Sequence, residues 1–315
     1  DMKDAQWLAS LHRCGLIKGS MIPPEHIRDL RDLTRYRRKL VQAATAEKNR
    51  IHKVLQDANM KLTTSISDIF GVSGRAILVK VMNGEVLDEA ELRSVLKTKL
   101  KRKVAEILDA LNGKLRLHHR QMLTEHWEHL CFLEQRIETL EARIEQQLAP
   151  YAEEVERIDS IPGIDRQAAA SIMAEMGPNV ADMFATDAQF ASWAGVCPGN
   201  NESAGKKKSS KTMKGNKHLK GTLCQAAMAN YRSNNRIGIH YRHIRKRRGE
   251  RKASVATAHL ILRILFAMMR DKVSYNENDV PVGGGTSQEK TLCHYLKQLQ
   301  AMGYDVELKA KDQAS

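Results

Sequence analysis

A mainly α protein is what this sequence predicts, and three observations predict it. Aromatic residues make up only 5% of the 315-residue chain, and helix-favouring Leu, Ala, Glu, Lys and Arg dominate. Leu130, Leu133, Ile137, Leu140 and Ile144 follow one another at intervals of 3, 4, 3 and 4, with mostly charged or polar residues between. That is the seam of a coiled coil or a helical hairpin. Helix breakers fall between the periodic stretches rather than inside them, at Gly15, at Pro23 and Pro24, and at Pro150.

In chain order, residues 1–16 read as a short helix with Trp7, Leu8 and Leu11 on its apolar side. A long helix fits 26–59, with Leu30, Leu33, Leu40, Ile51, Val54 and Leu55 on one side. Its arginines, Arg28, Arg31, Arg35, Arg37 and Arg38, are expected to make one surface strongly basic. Gly71 and Gly74 flank Val72-Ser73 and suggest a turn between short helices. Residues 91–111 look helical again and hold the cluster Lys97, Lys99, Lys101, Arg102 and Lys103. The seam helix ends at Pro150, and its spacing suits packing on the 26–59 helix and dimerisation equally. Beyond residue 275, Gly283, Gly284 and Gly285 read as a flexible linker. A helix over 289–302 and a short extended piece over 304–308 are expected after it. The expected domains are 1–20, a helical coiled-coil region over 21–150, a third over 151–275, and a linker with tail over 276–315.

Composition excludes several classes of function. Hydrophobic residues at 42% and charged residues at 28% are ordinary for a soluble globular protein of two or three domains. No apolar run approaches the roughly 18 to 20 residues that span a bilayer, so no membrane partner is expected. The start has no signal-peptide pattern, and it lacks an initiator Met, so a fragment is expected. The five cysteines are odd in number and widely spaced, with no C-x-x-C pair. Neither a disulfide framework nor a zinc site follows from them, and a reducing cytosol fits.

Charge is the informative property. The chain carries +14, and residues 158–275 hold 20 Lys+Arg against 8 Asp+Glu, a net +12. A concentrated basic surface attracts polyanions by counterion release, with nucleic acid foremost. Within it, Ile161-Pro162-Gly163-Ile164 precedes an Ala-rich helical stretch. A Pro-Gly hairpin feeding a helix N-terminus offers backbone N–H groups to phosphate, and it has the form of a helix-hairpin-helix; an ordinary capping turn has the same form. Residues 199–211 are polar, glycine-containing and cationic, with Lys206, Lys207, Lys208 and Lys211, and Lys214 and Lys217 extend them. Such a loop can clamp a DNA backbone. A serine in it, Ser203, could attack a phosphate if activated, or could only cap or contact one. Arg245, Arg247 and Arg248 lead into an apolar helix and suit phosphate contacts. Asp1 and Asp4 stand at i, i+3 and can share a helix face, but Mg²⁺ would need further oxygen ligands.

Taken in this order, the pieces resemble one family. They are Asp1-Met2-Lys3-Asp4-Ala5, Ser160-Ile161-Pro162-Gly163-Ile164, the segment Phe190 to Pro198, Glu202-Ser203, Lys211 with Lys214-Gly215-Asn216 and Leu219, and the final Arg-rich helix. The chain resembles the DEDD transposases of the insertion-sequence-110 family (Piv/MooV-type recombinases). The resemblance implies a truncated RuvC-like N-terminal remnant, a coiled-coil middle and a helical transposase domain with a helix-hairpin-helix element. It implies that Asp1 and Asp4 match the last two acids of an Mg²⁺-binding tetrad, and that Ser203 matches a serine that joins covalently to DNA. The first two tetrad acids have no counterpart, so this chain alone is expected to be inactive. Ala204 replaces the glycine that commonly follows the serine. DNA ends and target, a non-coding bridge RNA, a homo-oligomer (dimer or tetramer) and a bacterial or archaeal, nucleoid-associated cytoplasmic setting are implied too. The alternative is a non-catalytic helix-hairpin-helix module that binds DNA or RNA.

Overall fold

Helix-favouring composition produces helices almost throughout the computed structural model. It describes residues 2–17, 22–199, 201–209, 211–279 and 299–300, with the side chains of 201–203, 207, 208 and 279 outside that description. Helix α1 (Met2–Arg13) stops before Gly15, whose φ of +67° suits a residue without a Cβ. Trp7 and Leu8, on its expected apolar side, are exposed, and α1 has no buried residue. Helix α2 (Glu25–Asp57) follows Pro24. Helix α3 (Val72–Asn83) contains Gly74, where a turn was expected; a Cβ there would stand 2.3 Å from the Ile69 carbonyl oxygen. The glycine permits a close approach in the first turn of a helix.

The single helix expected over 91–111 is broken in three. Helix α4 (Glu89–Val95) is closed by a reciprocal Asp88–Glu91 cap, a 3₁₀ turn covers Leu100–Lys103, and α5 (Val104–Leu111) follows. Leu96 turns extended and is buried, as are Leu92 and Val104, so three apolar anchors hold the broken segment. Helices α6 (Leu117–Leu148), α7 (Ala152–Asp159), α8 (Arg166–Met176), α9 (Val180–Met183) and α10 (Asp187–Trp193) come next. A two-stranded antiparallel ribbon, β1 (Asn201–Ser203) and β2 (Lys206–Ser209), precedes α11 (Lys217–Ala229), α12 (Arg236–Arg248) and α13 (Glu250–Asp271). The expected linker and tail elements over 283–308 lie outside the described residues, apart from 299–300, which are helical.

The contacts divide the chain into two units. The first comprises Asp1–Val155 and Arg166–Pro178, the second Glu156–Asp165 and Asn179–Ser315. In the first, α2 and α6 run antiparallel, with Arg37 bound to Glu141 at one end and Glu47 to His126 and His129 towards the other. Leu130, Leu133, Leu140 and Ile144 of the seam are buried and Ile137 is half-buried. Of the two packings left open by the spacing, the one against α2 is present.

The basic surface expected along α2 is largely turned into internal ion pairs. Arg35 forks onto both carboxylate oxygens of Glu175 in α8, at 2.7 and 2.8 Å. Arg31 donates to the Ala174 and Glu175 carbonyls, and its Nε lies 3.4 Å from the Glu175 carboxylate. Glu175 is only 3% exposed, and both guanidiniums lie against its carboxylate. Glu47, buried between α2 and α6, accepts from both histidines at 2.9 Å and from Arg50. Burial opposes its ionisation, but His129, Arg50 and His126 together outweigh burial and hold its carboxyl below the ordinary value.

In the second unit, α9 to α12 pack around α13, whose Ile261, Leu262, Leu265 and Phe266 are buried. By length and composition α13 could cross a membrane, but 67% of its most apolar window is buried in the protein, as in a core helix.

Two outcomes follow from these buried acids. Glu175→Ala strips two arginines of their counter-charge and is expected to cost about 3 kcal/mol, the low end for a buried pair because Arg35 is partly exposed; urea denaturation reads it. The depressed Glu47 carboxyl contributes stability that is complete above the ordinary glutamate value and lost as pH falls through the lower folded one. Glu47→Gln should therefore flatten the acid limb of stability measured against pH.

Candidate nucleic-acid interface

The cationic segment stands on an aromatic base. Phe190, buried in α10, packs on Trp193 (centroids 5.8 Å apart, stacked), on Phe184 (5.2 Å) and on Phe266 of α13 (6.0 Å). Arg263 of α13 donates to Asp187 at the start of α10, and Thr186 caps that helix by accepting from the Gln189 N–H. The chain leaves α10 through Gly195 (φ +72°) and re-enters helix at Asn216, whose side chain accepts from the His218 and Leu219 N–H groups, both at 3.1 Å. These two points meet. A Cβ on Gly215 would lie 2.4 Å from the Gly195 nitrogen, and one on Gly195 would lie 2.9 Å from the Gly215 Cα. Only glycine at both positions lets the backbones touch.

Between them the chain folds into a hairpin where an irregular polar loop was expected. Pro198 bridges Thr212, and the Gly199 N–H donates to the Lys211 carbonyl at 2.9 Å. Asn201 pairs with Ser209, Glu202 with Lys207 and Ser203 with Lys206, with a bulge between Asn201 and Glu202. The connecting residues Ala204 and Gly205 have φ of +51° and +70°. Positive φ at both positions is the requirement of a type I′ two-residue turn. Ala204 thus occupies a left-handed position where a Cβ is unfavourable, and the replaced glycine noted in the sequence has its physical meaning here. Ser203 is the last residue of β1. Lys206, Lys211, Lys214 and Lys217 are exposed; Lys207 and Lys208 lie in β2. Burial, and secondarily Asp187, push the thiol of neighbouring Cys197 up, which keeps it protonated and a poor nucleophile.

Pro162, Gly163 and Ile164 form a tight turn with Gly163 at φ +84°. Asn230, 1% exposed, pins it by donating to the Pro162 carbonyl at 2.6 Å and to the Ala226 carbonyl at 2.9 Å. Sequence reasoning missed Asn230 because it lies 68 residues from its partner. Since the turn touches the end of α11 and the hairpin rises from its start, the 13-residue helix separates them by about 20 Å. The Arg245 guanidinium sits 4.5 Å over the Tyr231 ring, a pairing with no sequence signal. Arg247 and Arg248 are exposed. Asp4 is exposed on α1, and Asp1 lies outside the described residues.

The described residues thus form a helical core carrying a cationic hairpin. Residues 155–242 match the IS116/IS110/IS902 family of transposases, and residues 1–60 match the DEDD transposase model of the IS110 group. The two matches support an IS110-family transposase, a DNA transposase/recombinase of an insertion sequence. No curated protein matches it. The family implies use of a divalent metal. Among the described residues no group of three or more His, Cys, Asp or Glu side chains could hold one, so they do not by themselves fit such an ion.

The geometry yields two expectations. Ala204→Gly should relieve the left-handed turn by about 1 kcal/mol, seen as slower hydrogen exchange of the hairpin amides. Gly215→Ala should force the two chains at the hairpin base apart and cost about 1–3 kcal/mol, seen as a lower thermal midpoint.

Proposed function

We propose that the hairpin is the strand-exchange site of the transposase and that Ser203 is its nucleophile. The observation that carries this reading is the pairing of Ser203 with Lys206 next to a two-residue turn, on a base clamped at Gly195 and Gly215. Ser203 Oγ gives up its proton and bonds to the scissile phosphorus, the ester bond to one deoxyribose oxygen breaks, and that oxygen takes a proton. The hydroxyl of the incoming strand then attacks the same phosphorus and releases the serine. Number and type of phosphoester bonds are conserved, so the exchange needs no outside energy source. Lys206, Lys207, Lys208 and Lys211 would offset charge on the pentavalent phosphorus.

Around this centre, Lys214, Lys217, Arg245, Arg247 and Arg248 would hold the backbone. The turn at Pro162, Gly163 and Ile164 would act as the hairpin of a helix-hairpin-helix at a more distant phosphate. Asp1 and Asp4 are assigned to a Mg²⁺-binding acidic set by the family resemblance alone. The resemblance likewise supports a bridge RNA as guide and a dimer or tetramer as the working assembly.

In a transposase that carries the complete acidic tetrad, Ser203→Ala should abolish covalent protein–DNA adducts, detected by denaturing electrophoresis, and leave noncovalent DNA binding intact. Undiminished adducts in that variant would remove Ser203 from the chemistry. The Asn230-pinned turn favours one other reading, a phosphate-binding module without chemistry, under which no adduct forms with either protein.

A further inference from the structure

The first unit holds a cationic element of its own. Residues 97–103 read Lys-Thr-Lys-Leu-Lys-Arg-Lys, five cations in seven positions. Lys97, Lys99, Lys101, Arg102 and Lys103 are all exposed. Arg31, Arg35 and Arg37 of α2, in the same unit, are met by Glu175 and Glu141. Here the only counter-charge among the described residues is Glu106, 3.8 Å from Lys103. The acids of adjoining α4 are engaged elsewhere, Glu89 with Arg93 at 2.7 Å and Glu91 with Asp88 in the helix cap.

The segment is nevertheless fixed in place. Leu96 and Val104 are each 3% exposed, Leu100 is half-buried, and the Lys97 N–H donates to buried Ser73 Oγ at 3.0 Å. Holding like charges together on an anchored backbone without acids costs folding energy through self-repulsion. A closely spaced polyanion reverses that cost, and an anchored backbone loses little entropy on binding it.

We propose that residues 97–103 are a second site for a phosphodiester backbone, carried by the first unit, whereas the hairpin belongs to the second. Lys97, Lys99, Lys101 and Arg102 are its contacts, and Leu96, Leu100 and Val104 hold them in place. The site rests on the nucleic-acid partner of the family and not on the role given to Ser203. Duplex DNA and structured RNA both offer this chemistry.

The test uses the full chain and two fluorescent probes, a short DNA duplex and an RNA hairpin, each titrated over a range of salt. In K97Q/K99Q/K101Q/R102Q, the slope of log K against log salt should fall by about 3 on at least one probe, at roughly 0.7–0.9 per lost phosphate contact. The probe affected names the source. K97R/K99R/K101R should keep the wild-type slope, which ties the effect to charge. In a K206Q/K207Q/K208Q/K211Q background, salt-sensitive binding should persist, and its slope should fall further by about 3 when the 97–102 changes are added. Unchanged slopes on both probes, in a variant whose helical circular dichroism is intact, overturn the site. Covalent adducts persisting in Ser203→Ala would overturn the role of Ser203 and leave this result standing.

Discussion

The contact of Gly195 with Gly215 is the constraint on which the candidate site depends. Backbone can meet backbone this closely only where neither residue has a Cβ. One glycine ends α10, which is seated on α13 through Phe190 and the Asp187–Arg263 pair; the other immediately precedes the Asn216 cap of α11. Both ends of the cationic excursion are thereby tied to the same core. A short ribbon rich in lysine has little apolar surface of its own to bury, and an isolated two-stranded hairpin is marginal in water. Its register, and the place of Ser203 beside Lys206, are inherited from the helices beneath it.

Charge in this chain is sorted by what lies across from it. The arginines of α2 look in sequence like a ligand-binding face, yet two of them complete the buried ion pair with Glu175 and a third binds Glu141. Among the described residues, Lys206 and the cations from Lys97 to Arg102 have no comparable buried acid set against them. Net charge therefore indicates the class of partner, but which cations are available to it is decided by tertiary packing.

Much of the helical framework was legible because its signals are local. Gly15, the Pro23–Pro24 pair and Pro150 mark real helix ends, and the seam from Leu130 to Ile144 is buried as its spacing requires. What was not legible depends on distance or on an unusual turn. The hairpin was hidden because Ala204-Gly205 lacks the Asn-Gly signature and its strands are rich in lysine. The break at Leu96 was hidden because helical periodicity runs on through it. Gly215 was visible as part of a motif, but its reason, Gly195, lies 20 positions earlier. Ser203 itself was singled out through family resemblance; chemistry alone left it one polar loop residue among several.

The interleaving of the two units has a consequence for synthesis. The ribosome completes α2 long before α8 exists, and Glu175 follows Arg35 by 140 residues. Until then, two guanidiniums destined for a buried carboxylate face solvent on a nascent chain. The first unit closes only after residues 156–165 of the second have emerged. Folding in order of synthesis, domain by domain, is therefore unavailable to this protein. A release of the chain before residue 175 would leave a first unit with its seam helices made and its ion pair open, and such a product is a natural target for proteolysis.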